Sequence, residues 1–317
     1  MSLRSRPISG LALMALCAAV VSLARPAAAA PQLSALQILG SVNLVTNGKV
    51  STTADVEGSA VIGGNLSGAT FFNGDAPGSP FIYLYGSQSG NLNLNNGGSL
   101  YMNGTPGGHV NYNGGGHLYS TGPSQPLSTY TAPLMNLSSQ LAGLMQTAGN
   151  TISGGTFNAV AGATGMSVFN ITGSALQSAL TNANIRFMLG VGVTSVVVNV
   201  TGDFTEPNSA NWNTLAQNVL FNFSNATSVT VGNWQSSILA PSATLAIANG
   251  AINGSVFANQ FNGGGEIHNE LFTGAGGLLD GSSSNLPGSV PEPATLSLLG
   301  LGAMATVLLR RRRRPPA

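Results

Sequence analysis

The stretch from Asn233 to Gly274 most constrains the fold, because its apolar residues come in runs of four or five with turn residues between them. The runs are Ser237–Ala240, Thr244–Ile247 and Gly254–Ala258, separated by Pro241, Asn249-Gly250 and Asn253-Gly254. Runs this short leave no room for a helix, whereas the strands of a β-solenoid or a tight meander have this length. The stretch therefore predicts stacked short strands.

The same stretch carries two motifs, LAP at Leu239–Pro241 and GGEIHN at 264–269, with INGSV between them. A second block, DVEGSAVIGGN, covers Asp55–Asn65. Together these blocks resemble the choice-of-anchor A domain, a family of bacterial surface domains regarded as adhesins, over roughly residues 36–275. The resemblance implies a structural role for the motif residues Asp55, Glu57, Gly58, Gly63, Gly64, Asn65, Leu239, Ala240, Pro241, Asn253, Gly254, Glu266 and His268.

Apolar and polar residues alternate from Phe81 to Tyr119, with Gly-rich turns between the runs. The series Leu92, Leu100, Val110 and Leu118 has steps of eight to ten residues, and asparagines recur beside its first three members. This pattern predicts stacked rungs with asparagine ladders. A loose Gly/Asn-rich loop over 86–118 is the alternative, because the apolar content is low.

Helical spacing occurs once clearly, at Leu134, Leu137, Leu141, Leu144 and Met145. It predicts a helix over Ala132–Gln146, ended by Gly149-Asn150, with a shorter helix over Gly173–Ala183. The β-branched run Val196–Val200 predicts a strand buried on both faces. The fold expected is mainly β: a right-handed, β-solenoid-like (β-helix) domain with one packed amphipathic helix.

The N-terminus has the features of a secretory signal peptide over residues 1–30. Arg4 and Arg6 precede an apolar run from Ile8 to Leu23, and a run of alanines follows. Signal peptidase is expected to cut after Ala29 or Ala30. A membrane anchor is the alternative interpretation, and the short, alanine-terminated run speaks against it.

The C-terminus from 290 to 317 has three parts in order: a Pro-Glu-Pro motif, sixteen mostly apolar or small residues, and five arginines. It resembles a PEP-CTERM sorting signal, which implies an exosortase as partner and a Gram-negative envelope. The apolar part is expected to be a transmembrane segment that holds the protein in the membrane before processing. Sixteen helical residues span about 24 Å, short of the roughly 30 Å of a bilayer core, so a plain, permanent membrane anchor is disfavoured. The signal residues are Val290, Pro291, Glu292, Pro293, Arg310, Arg311, Arg312, Arg313 and Arg314.

These signals predict four regions: the signal peptide (1–30), a choice-of-anchor A domain (31–280), a linker (281–289) and the sorting signal (290–317). Only 6% of residues are charged, and Lys49 and Arg186 are the only basic ones between Arg25 and Arg310. Eight acidic residues stand against those two, so this body carries a net charge of −6. Nucleic acid is excluded as a partner, because phosphate binding needs clustered Lys and Arg. The one cysteine, Cys17, lies in the leader, so disulfides are not expected.

The sequence has no recognisable catalytic motif of the G-x-S-x-G, H-E-x-x-H or Walker type. Asp55 with Glu57, and Glu266 with His268, each lie two residues apart and would share a strand face. Either pair could serve acid/base chemistry, but a structural or solvated role is favoured. His109 and His117 lack a third metal ligand nearby. We therefore expect no enzyme activity, cofactor or metal; a polysaccharide hydrolase or lyase would need its acids together in one groove.

The function expected is adhesion at the cell surface or in a biofilm matrix, with an exopolysaccharide or other matrix polymer as partner. Neutral polar side chains and tyrosines suit sugars, which offer hydroxyls and apolar CH faces. An ice-binding-like surface protein is a further alternative, although the sequence shows no regular threonine ladder. The candidate ligand contacts are Tyr83, Tyr85, Tyr101, Tyr112 and Tyr119.

Overall fold

The structure is a computed structural model that describes residues 33–74, 79–213 and 216–275. Within these ranges the protein is mainly β, with predominantly parallel sheets and three helices: α1 (Ala35–Leu39), α2 (Ser128–Ala142) and α3 (Gly173–Leu180). None of the three is long and apolar enough to cross a membrane. The predicted signal peptide and sorting signal lie outside the described residues.

The largest sheet has 15 strands in two runs, which share the long strands β22 (Ser237–Ile247) and β24 (Val256–Gly263). The first run, here called the helix-covered flank, holds β1 (Leu44–Thr46), β4 (Ala60–Ile62), β7 (Phe81–Leu84), β10 (Ser99–Met102), β12 (Leu118–Tyr119), β15 (Met166–Thr172), β17 (Ser195–Thr201), β20 (Val219–Asn222), β22 (Ser237–Ile247) and β24 (Val256–Gly263). The second run, the hydroxyl flank, joins the later parts of β22 and β24 to β2 (Val50–Thr52), β5 (Leu66–Ser67), β8 (Gln88–Ser89), β18 (Phe204–Thr205) and β21 (Ser228–Val231).

Two smaller sheets complete the body. The asparagine flank is six-stranded and consists of β3 (Asp55–Val56), β6 (Thr70–Phe71), β9 (Leu92–Leu94), β11 (Val110–Tyr112), β23 (Ala251–Asn253) and β25 (Glu266–His268). The four-stranded sheet consists of β13 (Thr151–Ser153), β14 (Thr156–Ala159), β16 (Asn184–Leu189) and β19 (Asn211–Trp212). Of the pairings between these strands, only β13 with β14 is antiparallel.

The chain visits the three flanks in turn, so that β1, β2 and β3 pair with β4, β5 and β6 of the next layer. Leu92 pairs with Val110, and Leu100 pairs with Leu118. Residues stacked in adjacent layers here are thus 18 positions apart in the sequence. The predicted step of eight to ten residues is about half of that, because it leads from a strand on one flank to a strand on another. The stacking is compatible with a β-solenoid, and its right-handed sense stays a prediction.

The layers are not stacked in chain order. Along the helix-covered flank the strands run β12-β10-β7-β4-β1-β24-β22-β20-β17-β15. The chain starts in the middle, builds outward to β12, crosses back through α2, and returns from β15 to β24 beside its own beginning. At this central seam the Ser255 hydroxyl donates to the Leu39 carbonyl and accepts from the Phe272 amide. Segments from early and late in the described chain thus meet at the centre of the stack.

Apolar side chains fill two clusters, one inside the layers and one beneath the helices. The inner cluster is mostly aliphatic, and most of its aromatic side chains belong to the layers after α2, where Phe221 and Trp234 have ring centroids 4.7 Å apart. The outer cluster joins Leu134, Leu137 and Leu141 of α2 to the helix-covered flank. Met145, placed on the apolar stripe by the sequence pattern, is 88% exposed.

Helix boundaries differ from those expected. The helix α2 begins four residues before the predicted Ala132 and ends at Ala142, because Gly143 rather than Gly149 is its C-cap. The helix α3 ends at Leu180, before Asn182 turns to φ 56°. The helix α1 was not predicted, although Ser34 and Gln37 form a capping box that the sequence displays.

A ladder of asparagines holds α2 onto the stack: Asn222 donates to Asn199 and Asn199 to Asn170, of which Asn199 and Asn222 are buried. The side-chain amide of Asn222 donates to the Ser138 carbonyl at 2.9 Å, and that of Asn199 donates to the Leu141 carbonyl at 2.7 Å. Asn170, which is exposed, makes the same contact with the Leu144 carbonyl at 2.9 Å. The Leu141 and Leu144 carbonyls lie at the end of the helix and just after it, where a carbonyl has no helical amide four residues ahead. The ladder therefore orients α2 as well as attaching it.

Candidate binding surfaces

The asparagine flank presents a regular polar face on the outside of the stack. Its inward residues Val56, Phe71 and Leu94 are at most 1% exposed and lie in register. The residues that alternate with them face outward, because successive side chains of a strand point to opposite faces. Adjacent strands lie about 4.8 Å apart, so the outward side chains repeat at that interval.

One hydrogen-bonded row crosses four layers on this flank. Asn73 donates to an Asp55 carboxylate oxygen at 2.6 Å, Asn95 donates to Asn73 at 3.0 Å, and Asn113 donates to Asn95 at 2.8 Å. Each amide thus uses one donor along the row and keeps further hydrogen-bonding capacity for a ligand. This row confirms that the asparagines stack as ladders.

A second row runs beside the first. Asn93 donates to the Thr70 hydroxyl at 3.4 Å, Asn111 donates to Asn93 at 2.7 Å, and the Nε2 atom of His109 lies 2.8 Å from the Asn111 amide oxygen. The two rows fix the orientation of the amides before any ligand arrives. Residues 86–118 therefore include paired strands, in agreement with stacked rungs rather than the loose-loop alternative.

The carboxylates of the two sequence motifs, Asp55, Glu57 and Glu266, also lie on the asparagine flank, and each has a different hydrogen-bond partner. The Glu57 carboxylate accepts from the Asn269 backbone amide at 2.8 Å. The Glu266 carboxylate lies 3.0 Å from His268 Nε2, and His268 Nδ1 lies 2.6 Å from the Asn253 amide oxygen. These contacts tie β25 to its neighbours. Glu57 and Glu266 thus each have a hydrogen-bond partner of their own.

The motif residues Asn253, Gly254 and Gly58 meet at the central seam. The buried side chain of Asn43, which sequence reasoning missed, donates to the carbonyls of Gly254 at 3.1 Å and His268 at 3.0 Å, and accepts from the Gly58 amide at 3.1 Å. It thereby joins layers from the two ends of the chain. The Asn43-to-Gly58 spacing gives no signal that would have identified it.

The remaining motif residues shape turns and packing. A Cβ atom on Gly63 would lie 2.2 Å from the Asn47 carbonyl, and one on Gly64 would lie 2.6 Å from the Lys49 amide. The Asn65 side chain accepts from the Ser87 amide at 3.0 Å. Leu239 and Ala240 are buried, and Pro241 lies where the pairing of β22 with β24 shifts register.

The five tyrosines do not form one surface. Tyr112 packs partly against the inner core, and Tyr85 donates to the Gln125 carbonyl at 2.6 Å. Tyr83 packs against Tyr130 of α2, with ring centroids 5.9 Å apart, and burial raises the pKa of Tyr130 to about 12. Only Tyr101 and Tyr119 stack face to face toward the end of the flank, 4.3 Å apart. The structure thus supports those two as the accessible aromatic pair.

The hydroxyl flank carries a row of small outward side chains in register. The row runs Thr205, Thr230, Ala246, Asn262, Ser51, Ser67 and Ser89 across seven strands. Most members are hydroxyls, although Ala246 and Asn262 interrupt them. Sequence inspection could not find this row, because its neighbours come from distant parts of the chain.

Metal and acid/base chemistry find little support among the described residues. No group of three or more His, Cys, Asp or Glu side chains there is placed to hold a metal ion. Glu206 is the buried acid: it accepts from Trp212 Nε1 at 3.0 Å and from the Gly232 amide, and desolvation raises its pKa despite these bonds. Asp203 has a lowered pKa, because the Thr227 and Ser228 amides donate to it.

Fold and surfaces together define a charge-poor, parallel-β protein whose flanks display ordered rows of amides and hydroxyls. Residues 35–269 match the family model described as "Putative Ice-binding-like adhesive domain", and the chain belongs to that family. Residues 289–314 match the PEP-CTERM protein-sorting motif, which confirms the predicted sorting signal. The chain is thus an exported cell-surface protein with an adhesive role, and exosortase recognises its sorting signal. No curated protein and no solved structure matched the chain.

Proposed function

We propose that this protein attaches cells to a polysaccharide of the extracellular or biofilm matrix, without turning it over. The asparagine flank is the proposed contact surface. The observation that carries the proposal is the pair of hydrogen-bonded amide rows, Asp55–Asn73–Asn95–Asn113 and Thr70–Asn93–Asn111. Amides held at a regular spacing can exchange hydrogen bonds with a chain of sugar hydroxyls at little ordering cost.

Processing follows from the two terminal signals. Signal peptidase would remove about the first thirty residues, and exosortase would cut near the Pro291-Glu292-Pro293 motif in the envelope of a Gram-negative bacterium. Many anchored copies would then act together, so that weak individual contacts add up to firm attachment through avidity. Intact-mass measurement of envelope-derived protein tests this, and a species still ending at Ala317 in cells with an active exosortase contradicts it.

The test of function measures attachment and turnover in parallel. Cells displaying the full chain are expected to bind at least one insoluble polysaccharide of a panel while releasing no new reducing ends. Moderate salt should change attachment little, because the body has few charges to screen. Release of reducing ends that stops on changing Asp55, Glu57 or Glu266 would instead establish a polysaccharide-acting hydrolase or lyase.

Ice binding is a second candidate, favoured by the small, flat row of the hydroxyl flank and by the family to which the chain belongs. Thr205 and Thr230 form a ladder step there, but Ala246 breaks the series. Thermal hysteresis of the full chain separates the two candidates: a clear effect, lost on replacing Ser67, Ser89 and Asn262, would favour ice over polysaccharide.

A further inference from the structure

We infer that adhesion by this protein includes a homotypic contact, in which two copies associate end to end through the layer that contains β11 and β12. This inference rests on the proposed adhesive function and names a second copy of the chain as a partner. It concerns the end of the stack and not the asparagine flank. The two surfaces can therefore be tested separately.

The strand edges at this end are open. Within the described residues β12 pairs only with β10, and β11 pairs only with β9. At the opposite end the edge strand β15 is covered: the Val168 carbonyl accepts from Thr147 and Asn150, and the Val168 amide donates to the Thr147 hydroxyl at 2.9 Å. An uncovered strand edge offers its backbone groups for pairing with another chain.

The core is also incomplete at this end. Val110, Tyr112 and Leu118 are only partly buried, whereas Leu94 and Leu100 in the layers beneath are 0% exposed. The buried Tyr112 hydroxyl has no hydrogen-bond partner in the protein. A stack of layers needs a cap where its core would otherwise meet water. A second copy would supply that cap.

Charge favours a copy of the same chain as the occupant. In a two-fold pair a surface patch meets the same patch of the partner, so that a charged patch would face its like. Between Asp75 and Arg186 the sequence contains no Asp, Glu, Lys or Arg, so the patch can meet itself without bringing such charges together. Exposed edges are usually guarded against pairing by lysines or other charges, whereas this edge carries only the titratable side chains of His109 and His117 beside its tyrosines.

Aromatic stacking gives the contact a register. Tyr119 is 43% exposed and stacks on Tyr101 with their ring planes within 6°. In a pair with β12 facing β12, the column Tyr83, Tyr101 and Tyr119 would continue into the column of the second copy. Exposed tyrosines are enriched at protein interfaces for this kind of packing.

Single-cysteine crosslinking tests the contact on cells displaying the full chain. Cys17 is the only cysteine in the sequence, so a Cys17→Ser background leaves only the introduced thiol. Ser120→Cys lies next to β12, and the matched control Ser228→Cys is an exposed serine on the hydroxyl flank. With a short bismaleimide we expect Ser120→Cys to give a band of doubled mass and Ser228→Cys to give none. No doubled band, or equal bands from both variants, overturns the inference.

A charge variant tests the same contact without a crosslinker. Cells displaying the full chain are expected to clump through the homotypic contact. Tyr119→Lys would place two like charges across the pair and should abolish this clumping, whereas Ser228→Lys should leave it unchanged. Wild-type cells that do not clump, or Tyr119→Lys cells that clump equally, contradict the inference. If cells bind polysaccharide but give no doubled band, the homotypic contact is wrong and the proposed function stands. If a doubled band forms but no polysaccharide binds, the contact stands and the proposed polysaccharide binding is wrong.

Discussion

At the residue scale, asparagine side-chain amides hydrogen-bond to backbone groups of other elements and so connect parts of the fold. Asn43 joins segments from early and late in the chain, and Asn170, Asn199 and Asn222 hold α2. Only 6% of the residues are charged, so neutral amides make contacts for which ion pairs are scarce. Asn43, Asn199 and Asn222 are buried and therefore costly to remove, because a buried partner left unsatisfied loses its hydrogen bond without regaining water.

We predict that Asn222→Ala destabilises the protein by about 1–3 kcal/mol, because it removes the buried partner of the Ser138 hydroxyl and of the Asn199 side-chain oxygen beneath α2. Asn113→Ala is the matched control. Asn113 is the exposed last residue of its row, so this substitution should lower the free energy of unfolding far less. Urea unfolding of the two variants measures the difference. Equal losses would mean that the buried ladder does not stabilise the helix.

Position 63, in the DVEGSAVIGGN block, must be glycine because the layers pack too closely there for a larger side chain. We predict that Gly63→Ala costs about 1–3 kcal/mol, because the new Cβ would lie 2.2 Å from the Asn47 carbonyl and force the layers apart. Gly264→Ala is the control, as no atom lies within 4 Å of its Cβ position. Thermal unfolding compares them, and a tolerated Gly63→Ala would contradict the stacked geometry at that turn.

The buried acid Glu206 gives the stability a pH dependence of defined sign. Its pKa is raised in the folded protein, so the folded state holds the proton more tightly than the unfolded chain. The free energy of unfolding should therefore fall as pH rises from 4.5, the ordinary pKa of a glutamate side chain, through the raised pKa. We predict that Glu206→Gln removes this fall, as measured by urea unfolding between about pH 4 and pH 7.

A control for that measurement is Asp203→Asn. The pKa of Asp203 is lowered, so its contribution to stability is present above 3.8 and is lost as pH falls below that value. The variant should change the pH profile only in the acidic range. A Glu206→Gln profile identical in slope to the wild type would refute the assignment.

At the element scale, β24 is the strand on which the two parts of the chain depend. It pairs with β22 on one side and with β1 and β2 on the other. A chain that stops after Gly254 lacks this strand. We predict that it loses amide-exchange protection in both Leu44–Thr46 and Ser237–Ala240, whereas a chain that stops after Ala275 keeps it. Retained protection at Leu44–Thr46 in the shorter chain would show that the first layers fold alone.

Elements were predictable where a local signal was strong. The run Val196–Val200 is buried throughout, as its β-branched composition predicted. The helix α2 was found but shifted, since apolar periodicity continues past Gly143 through Leu144 and Met145. The true end depends on Asn170 and Asn199, which lie on other strands and are invisible to a local pattern.

At the scale of the whole molecule, the order of layers could not be predicted. Alternation and turn residues predicted stacked strands, but the meeting of early and late segments at the centre follows from the long-range pairing of β24 with β1. The candidate surfaces share this limit. Asn95 and Asn113 lie close in sequence and suggested a ladder, whereas Ser51 meets Asn262 on the hydroxyl flank across most of the chain.

This arrangement separates the surfaces by role. The helix-covered flank packs against α1 and α2, the central seam joins segments from early and late in the chain, and the asparagine flank carries the hydrogen-bonded amide rows. A flat surface with repeated weak contacts suits a polymer better than a small molecule. The central claim is therefore that the asparagine flank, and not another face, binds the polysaccharide.

Attachment of displaying cells to their polysaccharide, compared between two triple variants, tests that claim most directly. One variant replaces Asn73, Asn95 and Asn113 of the asparagine flank by alanine, and the other replaces Ser67, Ser89 and Asn262 of the hydroxyl flank. Circular dichroism first establishes that both variants keep the fold. We predict that the asparagine variant loses attachment and the hydroxyl variant retains it; retained attachment in the asparagine variant would contradict the account.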